Sequence, residues 1–291
     1  MEIYLTNAAL AGFGYALAAL FSKRALQEGC GILRFSFVCN LVFVGVFAIP
    51  YLGGGVTFPA AGLHLPVIAG VFFFGGQVFT FAAIRMGDVS LQTPMMGMKA
   101  VFVVLLAVVL GTEPIDGAMW SAAFLAMSAV LLLGLSGGGA KRVGLTLTLA
   151  MLSALFFAGA DTMVGTFGRD FGPRNFIFIT MLVNGLLSFG LIPFFKEPLN
   201  TIPRAAWLWT ALGAVGMGAQ ALLLNYTLAA HQNVAAVNIL YSSRGLWSVV
   251  LAIPLAYLFS MPREAVTRQI LIQRFIGALF MSFAVALVLT R

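Results

Sequence analysis

Ten long apolar runs divide the chain, and the breaks between them are too short to hold a domain. The runs cover residues 5–22, 35–52, 66–84, 89–110, 117–135, 145–166, 176–195, 207–228, 234–258 and 272–290. A helix needs about 17–25 mainly apolar residues to cross the hydrocarbon core of a bilayer. The breaks carry helix-ending residues, among them Gly53-Gly54-Gly55, Gly87-Asp88, Gly111-Thr112-Glu113-Pro114, Gly172-Pro173 and Met261-Pro262. The runs lack the period-two alternation of a membrane β-strand. A backbone in lipid must satisfy its own hydrogen bonds, so the runs are read as helices. The expected fold is an all-α integral membrane protein with ten transmembrane helices.

Composition closes the alternatives. Of the 291 residues 61% are hydrophobic and 9% charged, against about 25% charged in an average soluble domain. So few charges cannot cover a water-facing surface. A soluble enzyme, a nucleic-acid binder and a disordered chain are excluded. The formal net charge of +7 is read as setting topology and meeting anionic lipid headgroups. Cys30 and Cys39 are nine residues apart and fit no metal or redox spacing. Neither a metal nor a cofactor is expected. Met1-Glu2-Ile3-Tyr4 lacks the basic segment of a signal peptide, so the first run is expected to remain as a helix.

The two halves of the chain echo each other. Ala48-Ile49-Pro50 ends the second run and Leu191-Ile192-Pro193 the seventh, 143 residues later. An offset of 145 pairs Phe81-Ala82-Ala83 with Tyr226-Thr227-Leu228, Val89 with Val234, and Lys99 with Arg244. Residues 1–136 form the first five-helix repeat, 137–144 a linker, and 145–291 the second repeat. An odd number of spans per repeat inverts the second half relative to the first. Inverted repeats are the architecture of many secondary transporters, with the binding site at the repeat interface near mid-membrane.

Ten spans in two five-helix halves within about 300 residues resemble the drug/metabolite transporter superfamily, in particular its EamA-type permeases. The most specific piece is Ser90-Leu91-Gln92-Thr93-Pro94 through Leu110-Gly111-Thr112-Glu113. It resembles the family's helix of small and polar residues ending in a Gly-Glu signature, here with Thr112 inserted. Pro262-Arg263-Glu264 is an approximate second copy, and Gly14-Tyr15 reverses the family's aromatic-Gly pair. The resemblance spans essentially the whole chain. It implies a multi-pass permease, in the inner membrane for bacterial members, whose central cavity is lined by the fourth and ninth helices. Organic-phosphate translocators of the superfamily carry basic residues there.

Three charges lie where charges are expensive. Lys99 is about ten residues into the fourth run, Arg244 about ten into the ninth, and Asp161 deep in the sixth. An ionisable group at the bilayer centre costs about 2.5–3.5 kcal/mol on insertion scales and tends to mark a functional pathway. Gln92, Met96, Lys99 and Val103 share one helical face; Val237, Tyr241, Arg244 and Ser248 share the equivalent one. The substrate-binding candidates are Lys99, Arg244, Tyr241, Gln92 and Ser248, with Gln77 and Asn238 as further intramembrane polar residues. Arg244 would hold a carboxylate or phosphate with its planar fork, and Lys99 would add a point charge. Asp161 either pairs with one of these cations or carries a coupling proton. A buried ion pair that only fixes helix packing is the structural alternative.

The expected function is secondary transport, as exporter or exchanger, of a small anionic or zwitterionic solute such as an amino acid or organic anion. A proton or counter-substrate would supply the coupling, with membrane lipids and no nucleic acid as other partners. The alternatives are an amphipathic-cation exporter and a non-transporting protein such as a scramblase or structural subunit. No enzyme is expected: His64 and His231 lie at run ends and no His-Glu-x-x-His motif is present. No phosphate-binding loop is present for direct ATP drive. Two arguments on orientation conflict. Eleven of the 16 basic residues lie in or beside odd-numbered connections, which would place both termini outside. The resemblance implies both termini in the cytoplasm.

Overall fold

Glycine, proline and polar caps divide the chain into helices much as the apolar runs imply. The computed structural model describes residues 3–51, 61–86, 95–134, 143–258 and 268–290. Among them every regular element is helical. The α-helices are α1 (Ile3–Gln27), α2 (Ile32–Ala48), α3 (His64–Met86), α4 (Met98–Leu110), α5 (Gly117–Gly134), α6 (Val143–Phe171), α7 (Pro173–Ser188), α8 (Arg204–His231), α9 (Val234–Tyr241), α10 (Arg244–Leu258) and α11 (Arg268–Leu289). Short 3-10 turns follow α2 at Ile49–Tyr51 and α7 at Phe189–Phe194.

The ends have local causes. Pro173 starts α7, where its missing N–H is no loss. Gly111 closes α4 in the left-handed conformation, its N–H returning to the Ala107 and Val108 carbonyls. The ninth run departs from expectation: it is split between Tyr241 and Arg244 without glycine or proline. Here the side chains of Asn238 and Ser242 bond back to the carbonyls of Val234 and Asn238, at 3.1 and 2.9 Å. Such back-bonding bends helices.

Seven helical segments are long and apolar enough to cross a membrane: Ile3–Gln27, Ile32–Tyr51, His64–Ile84, Gly144–Phe171, Pro173–Phe194, Arg204–His231 and Val234–Leu251. Three shorter apolar helices, Met98–Leu110, Gly117–Leu132 and Phe275–Leu289, fall on the fourth, fifth and tenth runs. The chain is therefore read as a multi-pass membrane protein. Burial agrees: large apolar side chains such as Leu10, Val109, Leu208, Phe275 and Phe283 point outward. Asn40, Asn184, Asn225 and Asn238 are buried. Lipid favours this arrangement, since a polar side chain turned outward would face hydrocarbon.

Helix α1 packs along α8, α3 along α6, and α5 along α11; α2 meets α7 and α8, and α3 also meets α7. Two of these contacts differ in texture. Between α3 and α6, Phe72 and Phe79 lie against Phe156, with ring centroids 5.2 and 5.0 Å apart, and Phe73 lies against Phe157 at 5.3 Å. The rings of Phe156, Phe157 and Phe72 sit over Gly75, Gly76 and Gly159, where a Cβ would collide or crowd. Between α1 and α8 small residues meet in the middle, Ala18 at Gly216 and Ser22 at Gly213, while Phe21 lies against Trp209 and Tyr4 against His231.

At one end, Arg34 ties two connections together. Its guanidinium donates to the carbonyls of Cys30, Gly29 and Pro198 and to the Thr201 hydroxyl, at 2.7 to 3.1 Å. It also pairs with Glu197 at 3.3 Å.

Candidate functional site

The site gathers around the two intramembrane cations. Lys99 is the second residue of α4, and Arg244 is the first of α10. Just before each, the helix tightens to three-residue hydrogen bonds: Lys99 N–H to the Met96 carbonyl and Ala100 N–H to Gly97, then Ser243 N–H to Leu240 and Gly245 N–H to Ser242. Both cations therefore stand where a 3-10 turn interrupts the α-helical ladder inside an apolar run.

Asp161, on α6, accepts the charge of Lys99: Nζ lies 2.5 Å from Oδ2, with both residues buried at 7% and 3% exposure. Arg244 has no carboxylate within salt-bridge distance among the described residues. Its guanidinium carbon instead lies 4.6 Å from the ring centres of both Tyr15 (α1) and Tyr241 (α9). These two rings meet edge to face at 6.0 Å. The Tyr241 hydroxyl donates to the Gln220 side-chain carbonyl on α8 at 3.0 Å. Lys99 also lies over Tyr241, 5.5 Å from its centre. Three charged groups from three helices thus share one aromatic enclosure. Cation–π attraction of this kind contributes about 0.5–2 kcal/mol per contact. Gly12, on α1, makes the close fit possible: a Cβ there would lie 3.2 Å from the Tyr241 carbonyl and from Ser243 Oγ.

The sequence candidates separate. Lys99, Arg244, Tyr241 and Asp161 meet in the enclosure. Ser248 lies one turn after Arg244 and spends its hydroxyl on the Arg244 carbonyl at 2.8 Å. Asn238 is buried; its NH2 reaches Val234, while Oδ1 has no hydrogen-bond partner among the described residues. Gln77 forms a two-bond amide pair with Asn40 on α2, at 2.9 and 3.0 Å, and is not brought to the cations. Gln92 and Pro94 lie outside the described residues. Tyr15 was not among the candidates. Its only signal was its place beside Gly14, because its partners are more than 200 residues away in the chain.

Glu113 has a different place. Its carboxylate accepts the N–H of Val234 at 2.6 Å and of Ala235 at 3.3 Å, capping α9 from the connection after α4. Burial pushes this carboxyl above the ordinary carboxylate range, and the two amide bonds offset only part of the effect. Among the described residues no cluster of side chains could hold a metal.

No family model and no curated protein matches the chain. A solved structure described as "Crystal structure of protein" superposes on it with a TM-score of 0.74 over 98% of each chain, at 18% identity. That likeness shows a shared fold and carries no activity with it.

Proposed function

We propose that the chain is a secondary transporter of a small anion-bearing solute, an EamA-type permease of the drug/metabolite transporter superfamily. In this reading ten spans form two inverted repeats. The packing supports the repeat. The 145-residue offset exchanges the contact of α1 with α8 for that of α3 with α6, and α2 with α8 for α3 with α7. The contacts α5–α11 and α2–α7 map onto themselves.

One observation carries the function: Arg244 stands midway along an apolar run with no carboxylate partner among the described residues. A membrane interior that keeps such a charge keeps it for a counter-charge that comes and goes. In this mechanism the solute's anionic group docks on Arg244, Tyr15 and Tyr241 hold the guanidinium, and the Lys99–Asp161 pair borders the site. The halves then rock to open the site to one side or the other. The aromatic faces favour a cationic drug less, because Arg244 and Lys99 already occupy them.

The test is a thermal-shift screen of purified protein against amino acids, organic phosphates, nucleotide sugars and cationic dyes, beside Lys99→Ala and Arg244→Ala. Ligand at about 100 times its Kd stabilises by about 2.7 kcal/mol. An anion that stabilises the wild type and not Arg244→Ala supports the reading. Stabilisation by dyes alone, unchanged in both variants, would refute it.

A further inference from the structure

The three intramembrane charges do not cancel. Lys99 and Asp161 form one neutral unit, and a proton passing between them leaves that unit neutral. Arg244 keeps its proton throughout the physiological range. The enclosure therefore carries one excess positive charge, within electrostatic reach of the pair. A solute with one negative charge brings the site to neutrality. A dianion would leave one uncompensated negative charge in a low-dielectric interior, which strongly disfavours it.

The shape of the cation adds to this. The Tyr15 and Tyr241 rings, 6.0 Å apart, lie beside each other against the Arg244 guanidinium rather than on its opposite faces, which leaves part of the cation uncovered by them. A guanidinium presents its N–H donors as a planar fork, and a planar carboxylate meets such an edge with two parallel hydrogen bonds. From charge and shape together, we propose that the site takes a monoanionic carboxylate, held in plane by Arg244 alone, with Lys99 neutralised by Asp161 rather than by solute. This rests on the transport reading and narrows its substrate class.

Melting of the purified protein, titrated with acetate, benzoate and hexanoate, and with phosphate, phenyl phosphate and hexyl phosphate as matched anions, tests it. At about pH 7.5 a phosphate monoester, with its second pKa near 6, carries about two charges. At least one carboxylate should raise Tm with an apparent affinity at least about tenfold (about 1.4 kcal/mol) above that of its matched phosphate. That shift should vanish in Arg244→Gln and persist in the double variant Lys99→Met/Asp161→Asn, which removes the pair as a neutral unit. Arg244→Lys, which keeps the charge, should bind more weakly with the same preference for carboxylate. It serves if the double variant does not fold.

A phosphate that binds more tightly than its matched carboxylate overturns the monoanion assignment and leaves an anion transporter standing. So does a carboxylate shift that survives Arg244→Gln. Stabilisation by a cationic dye such as rhodamine 6G, with none from the six anions, removes the transport reading as well. No shift with any of the three carboxylates overturns the proposal as stated.

Discussion

Lys99 and Asp161, brought together from α4 and α6, meet Nζ to Oδ2 at 2.5 Å in the interior of the bundle. The contact assigns the one intramembrane carboxylate to one of two cations and so distinguishes Lys99 from Arg244. These residues occupy equivalent positions in the sequence but opposite electrostatic situations.

Removing one partner of the pair should therefore hurt more than removing both. Lys99→Met or Asp161→Asn alone is expected to destabilise by about 3–5 kcal/mol, since each leaves a buried charge or donor unmatched. The double variant should recover most of that loss. Unfolding of all four proteins in one detergent gives the coupling directly; additive losses would mean the pair is not a unit.

Arg244→Gln should behave in the opposite way. It removes a half-buried intramembrane charge that has no carboxylate partner among the described residues, so ligand-free Tm should stay level or rise while anion-dependent stabilisation disappears. Tyr15→Leu should lose about 0.5–2 kcal/mol of cation–π attraction and weaken binding less than Arg244→Gln. A large drop in ligand-free Tm for Arg244→Gln would show that the guanidinium serves packing.

Glu113 links pH to stability. Its carboxyl is raised in the folded protein by burial. Such a group binds its proton more tightly folded than unfolded. Its stabilisation is complete below the unfolded pKa and is lost as pH rises through the folded one. The Tm advantage of wild type over Glu113→Gln should therefore be larger in mildly acidic buffer than at neutral pH. Glu113→Ala also deprives the Val234 and Ala235 amides of an acceptor, at about 0.5–2 kcal/mol. An advantage that grows toward neutral pH would mean the amides outweigh the burial.

Gln77 separates packing from binding. Gln77→Leu breaks the amide pair with Asn40 and should lower stability by about 0.6–1.7 kcal/mol, the span measured for interhelical hydrogen bonds. Ligand affinity, read from the same melts, should be unchanged. A change in affinity larger than the change in stability would return Gln77 to the site.

The membrane class was legible because length and apolarity of the runs leave helix as the reading lipid allows. Lys99, Arg244 and Asp161 were legible because a charge inside such a run is conspicuous. The pairing was not: equal offsets place two cations symmetrically, and only side-chain reach decides which one Asp161 meets. The turn after Tyr241 falls at Ser242-Ser243, with neither glycine nor proline between the two helices, and Asn238 and Ser242 bond to their own helix beside it. Glu113 was visible as part of a motif. Its role as a cap depends on an amide 121 residues away, which local pattern cannot disclose.

The textures of the two long helix contacts have a mechanical consequence. Across α3 and α6 the benzene rings are seated in glycine notches like teeth in a rack. Sliding one helix along the other would require every tooth to lift at once. Across α1 and α8 the teeth are smaller, Ala18 and Ser22 against Gly216 and Gly213, with rings meeting only at Phe21–Trp209 and Tyr4–His231 among the described contacts. Shear within the molecule should accordingly meet less resistance along the middle of α1 and α8, where Tyr15 rides on α1, than across α3 and α6.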